Sequence, residues 1–385
     1  MDKMNVSESA PGRLVRYDRR SYYKPDPLPP SKRLDLAEEF YELVSEASFW
    51  LGKLNGIGLL VEFSPVLYTS LLRKEAMESA EIEGADIDWN ALYSRETRSA
   101  DGSTPETTDN ERMKDVREVL NYEMAVEDGI RALDDGERFS VDLLNTLHAT
   151  LLSGVRSDTK TVGEKRTTPV NLGSFVPPAP GVVEGTMDAL LTYIETGGSY
   201  HDLVDIALVH YQFETIHPYG DGNGRLGRLL IALQLYENGY LEGPTLYLSE
   251  YFNRNKQTYI DRMQAVRQHG KWERWLEFFV RGIRYQAEES VERTLSLREL
   301  HREYREEFGG QTRTDARLAL SLFEQPYITA GDVKSLLDVS GPTAYRAINK
   351  LEGEGILEEV TDKEYGREYR AREIFEILER PPQTY

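Results

Sequence analysis

Residues 217–228, His-Pro-Tyr-Gly-Asp-Gly-Asn-Gly-Arg-Leu-Gly-Arg, join two stretches of helical periodicity, and this junction restricts the fold more than any other segment. Upstream, Asp202 to Ile216 reads as a helix running up to the histidine. Downstream, the helix formers Leu229, Leu230, Ile231, Ala232 and Leu233 predict a helix over Leu226–Asn238. The loop is therefore expected against a helix N-terminus, where free N–H groups and the positive end of the helix dipole suit a bound phosphate. A base (His217), a carboxylate (Asp221), several glycines and two guanidiniums (Arg225, Arg228) share one loop and one helical turn.

Three other readings compete for this stretch. Gly222-Asn223-Gly224-Arg225-Leu226-Gly227 matches the dinucleotide fingerprint G-x-G-x-x-G, but that fingerprint follows a β-strand, and Phe213–Pro218 continues a helical pattern. Glu214-Thr215-Ile216-His217 has the E-x-x-H spacing of a di-iron site, which needs a second copy that the chain lacks. A tight helix-to-helix turn would account for the glycines, yet it would require neither Asp221 nor the two arginines.

With 385 residues and 39% hydrophobic content, the chain is long enough for more than one domain. No run reaches the ~18 consecutive apolar residues of a membrane span, and Met1-Asp2-Lys3-Met4-Asn5 lacks a signal-peptide core, so a cytoplasmic location without membrane contact is expected. The absence of cysteine excludes disulfides, thiolate metal sites and a cysteine nucleophile, leaving oxygen and imidazole as metal ligands. A formal charge of -20 and a pI near 4.9 argue against a protein that coats nucleic acid, while permitting a local basic site. A high-salt cytoplasm and plain solubility both account for such acidity.

Along the chain, Tyr22–Pro30 is too proline-rich for a helix and reads as the end of an extended arm lying on the surface of the body. Helical periodicity begins at Leu34, and Ser64-Pro65 opens a further helix that ends at Glu83 before Gly84, with Ser79 and Glu83 on one face. Residues 99–110 form a polar connection without periodicity. Helices are expected at Arg112–Asp128, at Ser140–Leu152 with Ser140 as the cap, at Thr186–Glu195, at Asn253–Arg267 and through most of Trp272–Glu307. Between Val162 and Pro180, β-formers mixed with turn residues predict a short hairpin ending in the rigid Pro177-Pro178 corner. The last ~75 residues give three short helical patterns, at Leu318–Phe323, Ala330–Leu337 and Pro342–Gly353, then strands at Gly355–Val360 and Glu368–Arg370. That order is a winged helix-turn-helix plan.

The junction string, His217 to Arg228, resembles the signature of the Fic (Fido) family of nucleotidyl transferases, H-x-F/Y-x-D/E-G-N-G-R-x-x-R, and every fixed position is matched. Further resemblance extends over about residues 60–280, with Gly163–Pro178 as the family's flap and Ser79-Ala80-Glu81-Ile82-Glu83-Gly84 as its inhibitory S/T-x-x-x-E-G/N motif. The fold implied is mainly α: a Fic-type helical core with a small β-hairpin flap, plus the C-terminal winged helix-turn-helix domain. The division expected is 1–110 for the arm and the helical region with the inhibitory helix, 111–310 for the catalytic core and 311–385 for the winged helix.

The resemblance implies transfer of AMP from ATP to a Ser, Thr or Tyr hydroxyl of a target protein, the chain itself included. His217 would be the general base, a role that suits imidazole near neutral pH. Asp221 would hold Mg2+ through oxygen. Gly222, Asn223 and Gly224 would offer N–H groups to phosphate oxygens, and Arg225 and Arg228 would face the same polyanion. Val170, Asn171, Leu172 and Gly173 line up with the flap segment that borders the nucleotide and pairs with an extended target segment, although Pro169 removes one donor from that edge. Tyr259 and Arg267 fall where the family surrounds adenine, and Tyr259 reads equally as a core residue. Glu83, with Ser79 on its face, would pair with Arg228 and leave ATP unproductively bound, or would serve in removal of AMP.

A reading from another class is a DNA-binding regulator whose Fic core senses nucleotide. Arg346 and Lys350 on the candidate recognition helix, with Arg367, Arg370 and Arg372 near the wing, are its candidate phosphate contacts, against the nearby Glu352, Glu354, Glu358 and Glu359. Protein docking or a structural role accounts for the same unit. His148, His201, His210, His269 and His301 show no ligand spacing and read as core or surface residues. Target, nucleotide preference and oligomeric state, a homodimer included, stay open.

Overall fold

The computed structural model describes all residues except 1–5, 18, 60–63, 94–106, 156–161, 199, 362–365 and 382–385; for 64–67 and 107–113 it describes the backbone alone. The chain is mainly helical. Helix α1 spans Glu38–Gly58, α2 Ser64–Ile82, α3 Trp89–Tyr93, α4 Thr107–Asp134 and α5 Val141–Leu151. They are followed by α6 Pro180–Thr196, α7 Asp202–Ile216, α8 Asn223–Glu237, α9 Leu248–Arg254, α10 Lys256–His269 and α11 Trp272–Phe308.

Helix α7 is the axis of the body. Apart from Asp202 and Asp205 its residues are buried, because its sequence is apolar around the whole circumference, and such a helix can only lie inside. It packs against α6, α8 and α11, which brings the head of α8 beside its own C-terminus. Leu226, Leu229, Leu230 and Leu233 of α8 enter one core with Val119, Tyr122 and Val126 of α4 and Leu144, Leu147 and Leu151 of α5. A second core lies on the other side of α7, where α1 runs along α11 and Phe252, Trp275 and Phe279 pack together. Helix α2 is held between α4, α8 and α9.

Helix α11, 37 residues and about 55 Å long, links the body to the C-terminal unit. Its first half belongs to the second core, while Leu297, Leu300, Tyr304 and Phe308 belong to a third. That third core is completed by α12 (Thr314–Ser321), β3 (Tyr327–Thr329), α13 (Ala330–Leu337), α14 (Gly341–Gly353), β4 (Leu357–Glu359), β5 (Glu368–Ala371) and α15 (Arg372–Glu379). The three strands form an antiparallel sheet in the order β3-β5-β4. The buried Arg293 of α11 ties this unit to the body, donating to the carbonyls of Ile377 (3.1 Å) and Arg380 (2.6 Å), while Glu289 on its own helix holds the same guanidinium (2.5 Å).

Several expectations are met closely. Helices α7 and α13 have the expected bounds, and the Ser140 side chain caps α5 by accepting the Leu143 N–H at 3.1 Å. Other expectations are corrected. The proline-rich segment begins inside a true hairpin, β1 (Gly12–Tyr17) paired with β2 (Arg20–Pro25), and Tyr23 is completely buried. The flap hairpin is reduced to one bridge, in which Leu172 and Phe175 exchange backbone hydrogen bonds of 2.9 and 3.0 Å; Pro169 and the Pro177-Pro178 corner leave no room for a longer ladder. The helix expected at Asn253–Arg267 is broken into α9 and α10 at Asn255. Residues 99–106 of the expected polar connection lie outside the described residues, and 107–110 already belong to α4.

Candidate active site

The candidate site is built where α7 ends and α8 begins. Pro218 disfavours right-handed helical geometry at the preceding residue, so α7 stops at Ile216 and His217 turns into the left-handed region (φ 50°). Its N–H is retained by the Phe213 carbonyl at 2.9 Å. Two residues further, Tyr219 and Asn223 brace the loop reciprocally: the Tyr219 N–H donates to Asn223 Oδ1 (2.9 Å) and Asn223 Nδ2 donates to the Tyr219 carbonyl (3.0 Å). Gly222 adopts φ 70° as the N-cap of α8, a conformation that costs an ordinary L-residue roughly 1 kcal/mol or more. The first N–H groups of α8, at Asn223 and Gly224, thus have no acceptor within the helix.

His217 is 14% exposed through its side chain. Burial, and after it the cations Arg166 and Arg267, lower its pKa to about 4, with Glu83 opposing them. The imidazole is therefore neutral at pH 7 and able to accept a proton. Glu214 Oε2 lies 4.0 Å from its Nδ1, and burial raises that carboxyl to about 7.

The two arginines of the loop are buried and differently engaged. Arg225 meets Glu118 of α4 at 2.8 Å, while its Nε has no hydrogen-bond partner among the described residues. Arg228 donates through Nε to the Ser79 hydroxyl (2.8 Å) and through Nη2 to the Ser79 carbonyl (2.9 Å) and to Glu83 Oε1 (3.0 Å). Glu83 follows α2 directly. Burial disfavours its charged form, but Arg228, Arg225 and His217 outweigh burial and leave its pKa lowered. A Cβ at position 224 would collide with the Glu83 carboxylate, so glycine at 224 is what lets the carboxylate reach Arg228.

Helix α2 is pinned from behind. Glu75 accepts the Ser249 N–H (2.8 Å), the Ser249 hydroxyl and the Tyr122 hydroxyl (3.2 Å), and burial raises its pKa to about 7. Lys256 Nζ donates to the Ile82 carbonyl at 2.6 Å, and Asn253 Nδ2 donates to Glu78 (2.9 Å) and Glu81 (2.8 Å), which fixes the last turn before Glu83.

The flap is tied to the loop at both ends. The buried Arg166 donates to the carbonyls of His217 (2.7 Å), Pro178 (2.7 Å) and Ile216 (3.3 Å), and its N–H donates to the Pro218 carbonyl (2.9 Å). Arg267 donates to the Thr215 hydroxyl (3.1 Å) and lies 4.2 Å from the centre of the Phe175 ring. Val170 and Asn171 receive the Arg20 guanidinium, the Val170 carbonyl at 3.3 Å. Leu172 makes the bridge to Phe175, and Gly173 turns between them with φ 60°.

The residues His217, Asp221, Gly222, Asn223, Gly224, Arg225 and Arg228 therefore share one loop and helix head, with Ser79 and Glu83 against Arg228. Tyr259 does not line this surface. It takes its core alternative, with its ring on Phe252 (4.7 Å between centroids) and its hydroxyl 2.8 Å from His210 Nε2, because the α10 face that carries it turns toward α7 and α11. Sequence reading passed over His148, Arg166, Glu118 and Glu75, whose partners are distant in the chain and whose helical or loop positions carry no local signal. Asp221 Oδ1 accepts the Gly222 N–H at 2.7 Å, and no cluster of three or more potential metal-ligating residues occurs among the described residues. One carboxylate fits Mg2+, which usually takes one or two carboxylates and completes its shell with water and substrate phosphates.

Residues 138–235 match the family model described as Fic/DOC family, and residues 41–131 match Fic/DOC family N-terminal. Among curated relatives, protein adenylyltransferase Fic of Drosophila grimshawi is 31% identical over 170 residues, 44% of this chain and 35% of that protein. Protein adenylyltransferase Fic of Aedes aegypti is 28% identical over 242 residues, 61% of this chain and 45% of that protein. The chain thus spans about a third to under half of the length of these relatives. A Fic family protein from Desulfovibrio desulfuricans G20 shares the fold with a TM-score of 0.55 at 19% identity, over 88% of this chain and 97% of that one. Fic-1 (residues 134–508) from C. elegans gives a TM-score of 0.52 at 19% identity, over 68% and 73%.

Proposed function

From the premise that this chain carries the Fic/DOC family domain and its N-terminal companion, we propose that it transfers AMP from ATP to a hydroxyl of a target protein and of itself, and that Glu83 restrains the reaction. The observation that carries this reading is the engagement of Arg228 by Ser79 and Glu83 at the head of the helix that follows the loop bearing His217 and Asp221.

In the reaction, a Ser, Thr or Tyr hydroxyl oxygen attacks the α-phosphorus of ATP, the bond from that phosphorus to the bridging oxygen breaks, and pyrophosphate leaves. His217, neutral at pH 7, takes the hydroxyl proton. The N–H groups of Asn223 and Gly224 and the open Arg225 Nε donate to phosphate oxygens, and positioning with charge neutralisation supplies most of the acceleration. Asp221 would hold Mg2+, whose contribution when bound is to neutralise charge on the α- and β-phosphates. Arg228 would hold the γ-phosphate once released from Glu83. In the present arrangement its donors serve Ser79 and Glu83, so the triphosphate lacks one clamp.

We further propose the division 1–110, 111–310 and a winged-helix unit at 311–385, and a cytoplasmic location. Among the described residues no helix is long and apolar enough to cross a membrane. Of the two roles for the C-terminal unit, ion pairing favours the docking or structural one. Lys350 meets Asp315 (2.5 Å), Arg367 meets Glu359 (3.2 Å), Arg370 meets Glu379 (2.8 Å) and Glu358, and Arg372 meets Glu376 (2.8 Å). Four of the five candidate cations are thus neutralised by the unit's own carboxylates, which makes them poor phosphate contacts, while Arg346 bonds within its own helix to the Pro342 carbonyl (3.3 Å) and the Thr343 hydroxyl (3.2 Å).

The test is mass measurement of the purified protein after incubation with ATP and Mg2+. Wild type should gain little AMP, Glu83→Gly should gain it readily, and Glu83→Gly with His217→Ala should gain none. Equal incorporation by all three would overturn the assignment. The same measurement on a pre-modified target, with loss of AMP in wild type but not in Glu83→Gly, would show removal of AMP as the second activity of Glu83.

A further inference from the structure

The N-terminal hairpin reverses the charge balance of the chain. Its segment Gly12–Pro25 contains Arg13, Arg16, Arg19, Arg20 and Lys24 against a single acid, Asp18, which lies outside the described residues, whereas the whole chain has 66 acidic and 46 basic residues. Arg13, Arg16 and Arg19 are exposed, and no ion pair engages any of the five cations among the described residues. Exposed arginines elsewhere are commonly neutralised, as in Arg131 with Asp128, Arg138 with Glu195, Arg281 with Glu277 and Arg302 with Glu299. Exposed Leu14 and Tyr17 (42% and 46%) lie between these cations on β1.

The hairpin is fastened to the flap. The Tyr23 N–H donates to the Val176 carbonyl at 2.9 Å, the Tyr23 ring meets Phe175 edge-on at 5.8 Å, and the Arg20 guanidinium reaches the Val170 carbonyl and Asn171. Strand β2 thus lies beside the flap, and β1 is one strand further out, so the β1 cations stand within about 10 Å of the flap. That distance is comparable to the Debye length of about 8 Å at physiological ionic strength, so their field reaches any segment that runs along the flap.

We propose that the β1–β2 hairpin, through Arg13, Arg16 and Arg19, is a docking surface for an acidic segment of the target protein lying next to the hydroxyl to be modified. This rests on the AMP-transfer reading and adds the partner's charge to it. A target segment running along the flap past Leu172 meets the outer strand of the hairpin edge-on, where Arg13 with Tyr17 projects to one face and Arg16 with Leu14 to the other, so each face offers a cation beside an apolar side chain. An acidic protein segment is favoured over nucleic acid because the patch is joined to the flap by hydrogen bonds and spans a single hairpin.

The experiment measures binding by fluorescence anisotropy on the full chain, with labelled peptides that each contain one threonine flanked by glutamates, by glutamines or by lysines. The glutamate peptide should bind about tenfold tighter than the glutamine peptide at low salt, three exposed ion pairs at the modest strength of surface pairs giving that order. The preference should shrink at high salt, and the Arg13→Glu/Arg16→Glu/Arg19→Glu variant should transfer it to the lysine peptide. ATP binding measured by calorimetry establishes that this variant is folded. Equal affinity of wild type for the glutamate and glutamine peptides, or an unchanged preference in the folded variant, overturns the proposal. So does displacement of the glutamate peptide by single-stranded DNA at lower concentration than by unlabelled glutamate peptide, which would mark a nucleic-acid surface. Binding is read without transfer, so a failure of Glu83→Gly to label itself would count against the AMP-transfer reading and not against the docking surface.

Discussion

His148 Nε2–H donates to the Asp221 carbonyl at 2.9 Å, and the tautomer is fixed because His148 Nδ1 accepts the Gly163 N–H at 3.0 Å. A backbone N–H can only donate and a carbonyl can only accept, so the ring must be neutral; burial, which lowers its pKa, acts in the same direction. The imidazole also stacks on Tyr219 at 3.9 Å. One side chain of α5 therefore joins the start of the flap to the residue proposed to hold the metal.

His148→Ala should consequently weaken metal use more than nucleotide binding. In the Glu83→Gly background, the Mg2+ concentration for half-maximal self-labelling should rise roughly 10–100-fold, the range found when groups that orient metal ligands are removed. Titration of Mg2+ at saturating ATP checks this, and a change confined to maximal rate would contradict it.

Ser79 shares the restraint of Arg228 with Glu83. Hydrogen bonds to a charged group contribute about 1.5–3 kcal/mol, so Ser79→Ala should raise self-labelling about tenfold, by less than Glu83→Gly because the Ser79 carbonyl still accepts from Arg228. Initial rates with ATP labelled in the α-phosphate give the order.

Arg166 ties the His217 turn to the flap, donating to the carbonyls of His217 and Ile216 on one side and of Pro178 on the other. Arg166→Met leaves these buried acceptors unpaired and should destabilise the protein by about 3 kcal/mol or more, each unmet group costing about 1–3 kcal/mol. Denaturant unfolding measures the loss. Where Arg166→Lys folds, its single ammonium should restore part of the stability but leave the labelling rate low, because the His217 turn is no longer tied by one guanidinium to both its own carbonyls and the flap.

Glu75 predicts a stability trend with pH. Its folded pKa, about 7, lies above the unfolded value of about 4.5, so stability is fully present below the unfolded pKa and falls as pH rises through the folded one. The loss should be about 3 kcal/mol between pH 4.5 and 7, at 1.36 kcal/mol per unit. Glu75→Gln, which keeps one acceptor for the Ser249 N–H and turns its amide NH2 toward the Ser249 and Tyr122 hydroxyls, which can accept, should remove that component. The difference between the two proteins across pH isolates it from His217, whose lowered pKa acts in the opposite sense by favouring the fold above about 6.5 and withdrawing that support as pH falls toward 4.

The rate should be flat around neutral pH. Glu83 raises the His217 pKa, so its removal in Glu83→Gly lowers that pKa further, and the base should stay deprotonated from pH 6 to 8. A decline in self-labelling centred near 6.5 would show that the base is an exposed imidazole, contrary to the burial of His217.

The sequence by itself determined the helix–loop–helix junction, because helical periodicity on both sides, Pro218 after the histidine and glycine at 222 act within a few residues. It also placed Ser79 and Glu83 one turn apart before Gly84, and capped α5 with Ser140, since these too are local spacings. What lay beyond it were the partners. His148 is 73 residues from Asp221, Arg166 is 51 from His217 and Tyr23 is far from Val176 in the chain, and nothing near any of these residues states where its donors will end. The N-terminal hairpin and the shortening of the flap to one bridge were decided in the same way. A turn forms from its own residues, but which chain lies alongside it, and whether a tyrosine such as Tyr259 faces a ligand or a core, depends on how α7, α10 and α11 pack, and packing is settled only when the whole body closes.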